Sequence, residues 1–252
     1  VGTKLLTLTP DNPERGLPVI QGVYVLFGAP GTPGQAPRAV LDGVELTGLR
    51  TSAVSALGVR LLADASPRHL VVFGTGVQAW EHALTFQDVF GLERVSVVGR
   101  DAGRAAALAA RITAELGVTT SAAGPEAVAE ADVVVTCTAA TTPLFDGTLV
   151  PEHATVVAMG SHTTDARETD DTLARRATVA VESRDSAARE AGDVTLAIDS
   201  GALAGIEDTV TLAELVAGTA RRREGAPALF VTTGMPWQDL VVASAVAREV
   251  LG

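Results

Sequence analysis

The sequence predicts an α/β protein whose main body is a doubly wound parallel sheet, and three observations carry the prediction. From Leu70 onward, short runs that are apolar throughout alternate with stretches of helical period. Strands apolar on both faces, separated by helices, are what a parallel sheet covered on both sides requires. A G-x-G-x-x-A segment joins the first of these strands to the helix that follows it. Finally, 252 residues that are 47% hydrophobic and 19% charged supply a real core and exclude bulk disorder.

The first forty residues read differently. Lys4 to Thr9 is a short strand, and Pro10 to Gly16 is rich in turn formers. Val19 to Phe27 is a longer strand, followed by a Gly/Pro loop from Gly28 to Pro37 and a short strand at Ala39 to Leu41. Such strands about a turn suggest an antiparallel pair whose sheet is completed elsewhere. From Gly43 to Ala63 the period becomes helical, with Leu46, Val54, Leu57 and Leu61 on one stripe and Arg50 within it.

After Ser66-Pro67 the βα series begins. Leu70 to Phe73 is a strand, Val77 to Phe90 a helix, Arg94 to Val98 a strand and Ala102 to Leu116 an Ala-rich helix. Val133 to Thr136, Thr155 to Met159, Val179 to Val181 and Leu229 to Val231 read as further strands, with helices at Thr211 to Gly218 and Pro236 to Leu251.

Composition narrows the function classes. A net charge of -11 argues against nucleic-acid binding and docking on anionic membranes, so any bound anion needs a local cluster of donors. Gly and Pro interrupt the longest uncharged stretch, Gly16 to Pro37, which excludes a membrane helix there. Four scattered His and the single Cys137, without HExxH or CxxC, give no metal site. The lone cysteine and the lack of a secretory pattern place the protein in the cytoplasm. Of the 19 basic residues, only Lys4 is lysine.

The segment Val71-Val72-Phe73-Gly74-Thr75-Gly76-Val77-Gln78-Ala79 carries the first functional reading. Gly74 permits the tight turn, Gly76 lets a pyrophosphate approach the backbone, and Ala79 allows close helix–strand packing. The helix starting at Val77 offers its N-terminal dipole to the phosphates. Thr75, Val77 and Gln78 complete a dinucleotide-binding loop of Rossmann type. The second strand ends Val97-Val98-Gly99-Arg100, where an NAD site usually places an acid for the ribose 2′-hydroxyl. An arginine there can fork onto a 2′-phosphate, which favours NADP(H) while NAD(H) remains usable. The competing reading has Arg100 solvated and Asp101 meeting the ribose.

Together these residues resemble the ornithine cyclodeaminase/mu-crystallin family. The match is carried by Leu41-Asp42-Gly43, Leu46-Thr47-Gly48-Leu49-Arg50-Thr51, the glycine loop, Val97-Val98-Gly99-Arg100, and Gly160-Ser161-His162 with Asp165, Arg167 and Glu168. The resemblance implies a Rossmann domain over residues 64–234 and a smaller α/β substrate and dimerisation domain over 1–63, to which the helix 235–252 returns. Members carry about fifty or more residues ahead of the point matching Val1, so the smaller domain is expected here without its N-terminal part. A homodimer is implied, because the small domain pairs strands with a second subunit.

Members reduce imines, dehydrogenate amino acids, or cyclise ornithine with loss of ammonia. The shared needs are a cation for the substrate carboxylate, a proton donor near nitrogen and a dry pocket over the nicotinamide. Arg50 falls where the family binds the carboxylate; its alternative is a structural ion pair or a snorkelling side chain. Lys4 falls on the strand where the family keeps a lysine near substrate; its alternative is a chance exposed position.

Ornithine cyclodeaminases carry an aspartate where this chain has His162. That exchange favours protonating an imine over recruiting the ornithine ammonium, although a bland loop histidine fits the position nearly as well. The expected activity is therefore an NADP(H)-dependent oxidoreductase acting on a cyclic imine carboxylate or a related α-imino acid. Ornithine cyclodeaminase and a cofactor-binding protein without turnover are the alternatives. Thr136, Thr138, Gly160 and Gly234 are expected at the cofactor, and Asp165, Arg167 and Glu168 as supports of the His162 loop. Cys137 reads as a packing residue without a partner His, and His69, His82 and His153 as structural or solvated.

Overall fold

The computed structural model describes residues 1–9, 11–17, 19–29, 31 and 35–251. Within the turn-rich segment and the Gly/Pro loop expected above, Pro10, Pro30 and residues 32–34 lie outside the described residues. The chain divides into two compact units, one formed by Val1–Thr51 with Gly234–Gly252 and the other by Ser52–Thr233. The division falls inside helix α1 (Gly43–Leu62) rather than at its end, where the sequence-based boundary was drawn.

In the first unit, β1 (Gly2–Leu8), β2 (Ile20–Phe27) and β3 (Pro37–Asp42) form a three-stranded antiparallel sheet in the order β1-β2-β3. The expected pair is thus a meander with a third strand. Tyr24, Leu26 and Leu46 pack with Ala243 and Ala247 of α8 (Pro236–Leu251) on one face of it. The other face shows Leu5, Val23 and Val40 exposed, at 73%, 43% and 69%. Asp42 starts α1 by accepting from the backbone N–H of Val44 (2.7 Å) and Glu45 (3.2 Å), the preferred use of an aspartate at a helix start.

The buried side of α1 differs from the apolar stripe read off the sequence. Leu46 and Val54 are buried, but Leu57 is exposed, while Val59 and Leu62 are buried in its stead. Thr51, Ser52 and Ser55 are buried too. Small hydroxyl residues line the inward side because they are satisfied there: Thr51 donates to the Thr47 carbonyl (2.6 Å), and Ser52 pairs with Thr85 (2.7 Å). Leucine spacing therefore misplaces Leu57 and misses the buried hydroxyl residues.

The second unit holds an eight-stranded sheet in the order β10-β9-β11-β8-β7-β4-β5-β6, every pairing parallel. Its strands are β4 (His69–Phe73), β5 (Arg94–Val98), β6 (Thr119–Ala123), β7 (Val133–Thr136), β8 (Thr155–Ala158), β9 (Thr178–Val181), β10 (Val210–Thr211) and β11 (Ala228–Val231). Helices α2 (Val77–Phe90), α3 (Ala102–Leu116), α4 (Asp171–Arg176), α5 (Arg184–Glu190), α6 (Gly192–Asp199) and α7 (Leu212–Ala217) complete it. Two separate apolar clusters cover the sheet, one holding Phe86, Ile112 and Phe230, the other Phe73, Phe145 and Leu173. This is the doubly wound arrangement expected.

Five of the elements labelled above escaped the sequence reading, among them the two-residue edge strand β10. Strand β6 is Thr119-Thr120-Ser121-Ala122-Ala123, an edge strand too polar to show an apolar run. Helices α4, α5 and α6 are six to eight residues long, too short for a helical period to register. Arg222, though nearly buried, donates to the carbonyls of Leu62, Glu152, His153 and Ala226, which holds three segments by their backbones.

Candidate functional site

A cavity of about 740 Å³ opens at the carboxyl ends of β4, β5 and β7. The order of strand addition reverses there, since β5 and β6 build outward on one side of β4 and β7 and β8 on the other. Ligands of open α/β sheets bind at such a switch point. The cavity is lined by Gly74, Thr75 and Gly76, by Gly99, Arg100, Asp101 and Arg104, and by Cys137 to Ala140.

The residues present fit a dinucleotide. Gly74 has φ +120, and a Cβ there would stand 2.6 Å from the Cys137 carbonyl oxygen, so only glycine makes this turn. No side chain caps the start of α2, which leaves its first N–H groups for phosphate oxygens. Asp101, the competitor of Arg100 for the ribose, caps α3 by accepting from the Arg104 N–H at 3.0 Å. Arg100 itself is exposed at the cavity, and Arg104 is a second guanidinium there that sequence reading did not single out.

The wall formed by residues 137–140 is anchored from behind by Glu168. This wholly buried carboxylate accepts from Thr136 Oγ1 (2.7 Å), Thr138 N (2.9 Å), Thr138 Oγ1 (2.6 Å) and Gly160 N (2.8 Å). Burial pushes its carboxyl above the usual range, against these four donors. Thr136 is itself fully buried, so it supports the wall through Glu168 and does not face the cavity. Thr138 lines the cavity, but its hydroxyl proton is committed to Glu168. Asp193 holds the same loop from the other side, accepting from the N–H groups of Glu168 (3.1 Å) and Thr169 (2.7 Å).

His82 lies beneath the glycine loop, fully buried, with its pKa lowered to about 4 by loss of solvent. Its Nδ1 lies 2.7 Å from the Gln78 carbonyl, which can only accept, so Nδ1 carries the proton and Nε2 accepts from Ser55 Oγ at 2.9 Å. Cys137 Sγ approaches Nδ1 at 3.9 Å, so the cysteine does have a histidine neighbour, contrary to the sequence reading. That neighbour is neutral, and burial with the charge of Glu168 pushes the thiol well up. Cys137 is therefore a packing residue and not a thiolate nucleophile.

In the first unit, Lys4, Arg50 and Asp239 converge on a cavity of about 410 Å³, lined also by Gly2, Thr3, Tyr24, Gly234, Met235 and Pro236. Lys4 Nζ stands 2.9 Å from Asp239 Oδ1 and 3.4 Å from Thr47 Oγ1. Arg50 reaches Asp239 Oδ1 with Nε at 3.7 Å and Gln238 Oε1 with Nη1 at 3.3 Å. The Tyr24 phenol is pushed up, first by burial and then by Asp239, and so stays protonated. Gly234, expected at the cofactor, lines this cavity. It has φ +85, and a Cβ there would lie 2.4 Å from Arg50 Nη1.

The structure thus joins Lys4 with Arg50, 46 positions apart in the chain, and adds Asp239, which sequence reading passed over. An acid in the first turn of a helix that begins with Pro236 reads as a partner of the helix dipole, and only its burial at 6% separates it from that role. His162 is exposed on the loop after β8 and is not among the residues lining the cavity at the glycine loop. Val77 and Gln78 open α2, and Gly160 serves Glu168. Among the described residues no group of three His, Cys, Asp or Glu could hold a metal, and no helix is long and apolar enough to cross a membrane.

Comparison with known proteins agrees with this layout. The profile of the ornithine cyclodeaminase/mu-crystallin family matches residues 1–252. A Delta(1)-pyrroline-2-carboxylate reductase 2 of Burkholderia ambifaria is 37% identical over 252 residues, covering 98% of this chain and 76% of the relative. The ketimine reductase mu-crystallin of Mus musculus is 34% identical over 245 residues, covering 97% and 74%. Among solved structures, the Delta(1)-pyrroline-2-carboxylate reductase of Thermococcus litoralis in complex with NADH and L-proline superposes with a TM-score of 0.90 at 26% identity, covering 99% of this chain and 78% of that one.

Proposed function

The chain belongs to the ornithine cyclodeaminase/mu-crystallin family, and from that premise we propose that it is an NADP(H)-dependent oxidoreductase reducing a cyclic imine carboxylate or a related α-imino acid. The observation that carries this reading is the meeting of Lys4 and Arg50 in one cavity, two cations positioned for a carboxylate. The names of the reductases cited above support the reaction class.

When bound, the dinucleotide supplies the hydride. The chain's own residues do the rest: the glycine loop and the start of α2 hold the phosphates, and Arg100 with Arg104 takes the 2′-phosphate. Arg50 and Lys4 bind and orient the substrate carboxylate, and Lys4 delivers a proton to the imine nitrogen. Asp101 bears on the NADP preference, because it is committed to capping α3.

The test is to follow NADPH absorbance with pyrroline-2-carboxylate and piperideine-2-carboxylate, with NADH in parallel. Oxidation of NADPH by either imine is expected, with NADH used more slowly. Equal use of the two nucleotides defeats the roles of Arg100 and Arg104. Ammonia and proline formed from ornithine without net cofactor turnover would assign a lyase, and binding without turnover a carrier. We further place the protein in the cytoplasm, as a homodimer whose second copy covers the exposed apolar face of the antiparallel sheet. Dilution in a light-scattering experiment tests the dimer.

A further inference from the structure

Tyr24 is the only tyrosine of the chain and the cross-strand partner of Lys4 in the β1–β2 ladder. Partners in such a ladder place their side chains next to each other on one face of the sheet, here the face that bears the cavity. The tyrosine ring packs with Leu26, Leu46, Ala243 and Ala247, and the residue is 2% exposed. Its hydroxyl is not sealed in with the ring, because Tyr24 lines the cavity. A Cβ on Gly2, which lies on the same face as Lys4, would overlap the phenol oxygen, so the glycine makes room for it.

Among the described residues the phenol has no hydrogen-bond partner. An O–H so far removed from bulk water must take its acceptor from whatever enters the cavity. Asp239 acts on it through charge alone, its Oδ1 being held by Lys4 at 2.9 Å. Burial and then that charge push the phenol up, so it stays an O–H donor. Lys4 gives a second N–H to Thr47, whose own proton goes to the Gly43 carbonyl at 2.6 Å, and keeps its third for a ligand. An anion drawn to that N–H arrives beside the phenol.

We propose that Tyr24 is a substrate-binding residue that donates its O–H to the carboxylate seated on Lys4. A carboxylate offers about four lone-pair sites on two oxygens, so it accepts from an ammonium and a phenol together. The ammonium attracts as a point charge, whereas the phenol adds a directed, charge-assisted hydrogen bond that fixes how the acid is turned. The proposal rests on the reading of Lys4 as part of the carboxylate site.

The test uses the full chain with NADPH bound and pyrrole-2-carboxylate, a planar acid that needs no turnover. Tyrosine labelled for carbon NMR at the ring carbon bearing the hydroxyl gives a single resonance, because Tyr24 is alone. Binding of the acid is expected to move that resonance downfield, toward its position in an ionised phenol. In calorimetric titration, Tyr24→Phe is expected to weaken the acid at least roughly tenfold while leaving NADPH affinity unchanged. A resonance that stays in place while the acid binds overturns the role of Tyr24 and leaves the carboxylate site standing, and this arm needs no variant to fold. Equal binding of the acid by a folded Tyr24→Phe overturns it too. If the wild-type protein does not bind the acid, the carboxylate-site reading falls, and the role of Tyr24 with it.

Discussion

Acidification is expected to weaken the nucleotide-binding unit through one side chain, His82. The imidazole is fully buried and its pKa is lowered to about 4, mainly by desolvation and against the opposing pull of the Gln78 carbonyl. Above pH ~6.5, the ordinary histidine value, the ring is neutral whether the chain is folded or not, and its full contribution to stability is present. Below that value the unfolded chain takes up a proton that the native state refuses. Stability then falls by about 1.36 kcal/mol per pH unit until the native ring protonates near the lower value, about 3 kcal/mol in all. The buried carboxyls of Glu168 and Asp193 are raised and act with the opposite sign, gaining stability as pH falls. The effect is therefore read as a difference between two proteins. Urea unfolding of wild type and His82→Gln, followed through acid to neutral pH, should show the stability gap between them shrinking by about 3 kcal/mol toward low pH. Parallel curves for the two proteins would refute the burial argument. A gap that widens toward acid would refute its sign.

Three further outcomes follow from the geometry. Arg50→Ala should raise KM for an imine carboxylate roughly a hundredfold with a smaller effect on kcat, since a charge-assisted contact is worth about 1.5–3 kcal/mol; steady-state kinetics with an unchanged KM would remove Arg50 from substrate binding. Gly234→Ala should raise the same KM at least roughly tenfold while leaving NADPH affinity alone, because its Cβ collides with Arg50 Nη1 and its φ of +85 disfavours any side chain. Glu168→Ala leaves the N–H groups of Thr138 and Gly160 without their acceptor, at about 1–3 kcal/mol each; thermal unfolding should show the loss, and nucleotide titration a weakened Kd as the wall at residues 137–140 loosens.

The βα series, the glycine loop and its switch from strand to helix were legible in the sequence because each rests on local rules. Apolar strands must be buried on both faces, and a tight turn onto a helix needs glycines at fixed spacing. Long helices such as α2, α3 and α8 declared themselves for the same reason. What depends on inward direction did not. The buried side of α1 includes serines and threonines whose hydroxyls meet the Thr47 carbonyl, Thr85 and His82, so leucine spacing alone turned Leu57 inward where it is exposed.

The sequence by itself also singled out Lys4 and Arg50, one by its rarity and both by family resemblance, but it could not bring them together. That took an antiparallel sheet carrying Lys4 on β1, a helix start fixed by Asp42, and α8 returning from the far end of the chain with Asp239. Glu168 shows the same limit. Its place in a loop suggested a local support, whereas the folded chain makes it the common acceptor for the ends of β7 and β8. Periodicity and turn chemistry act between neighbours in sequence and can be read there. The pairing of buried charges acts between residues far apart in the chain, and only the tertiary structure decides which ones meet.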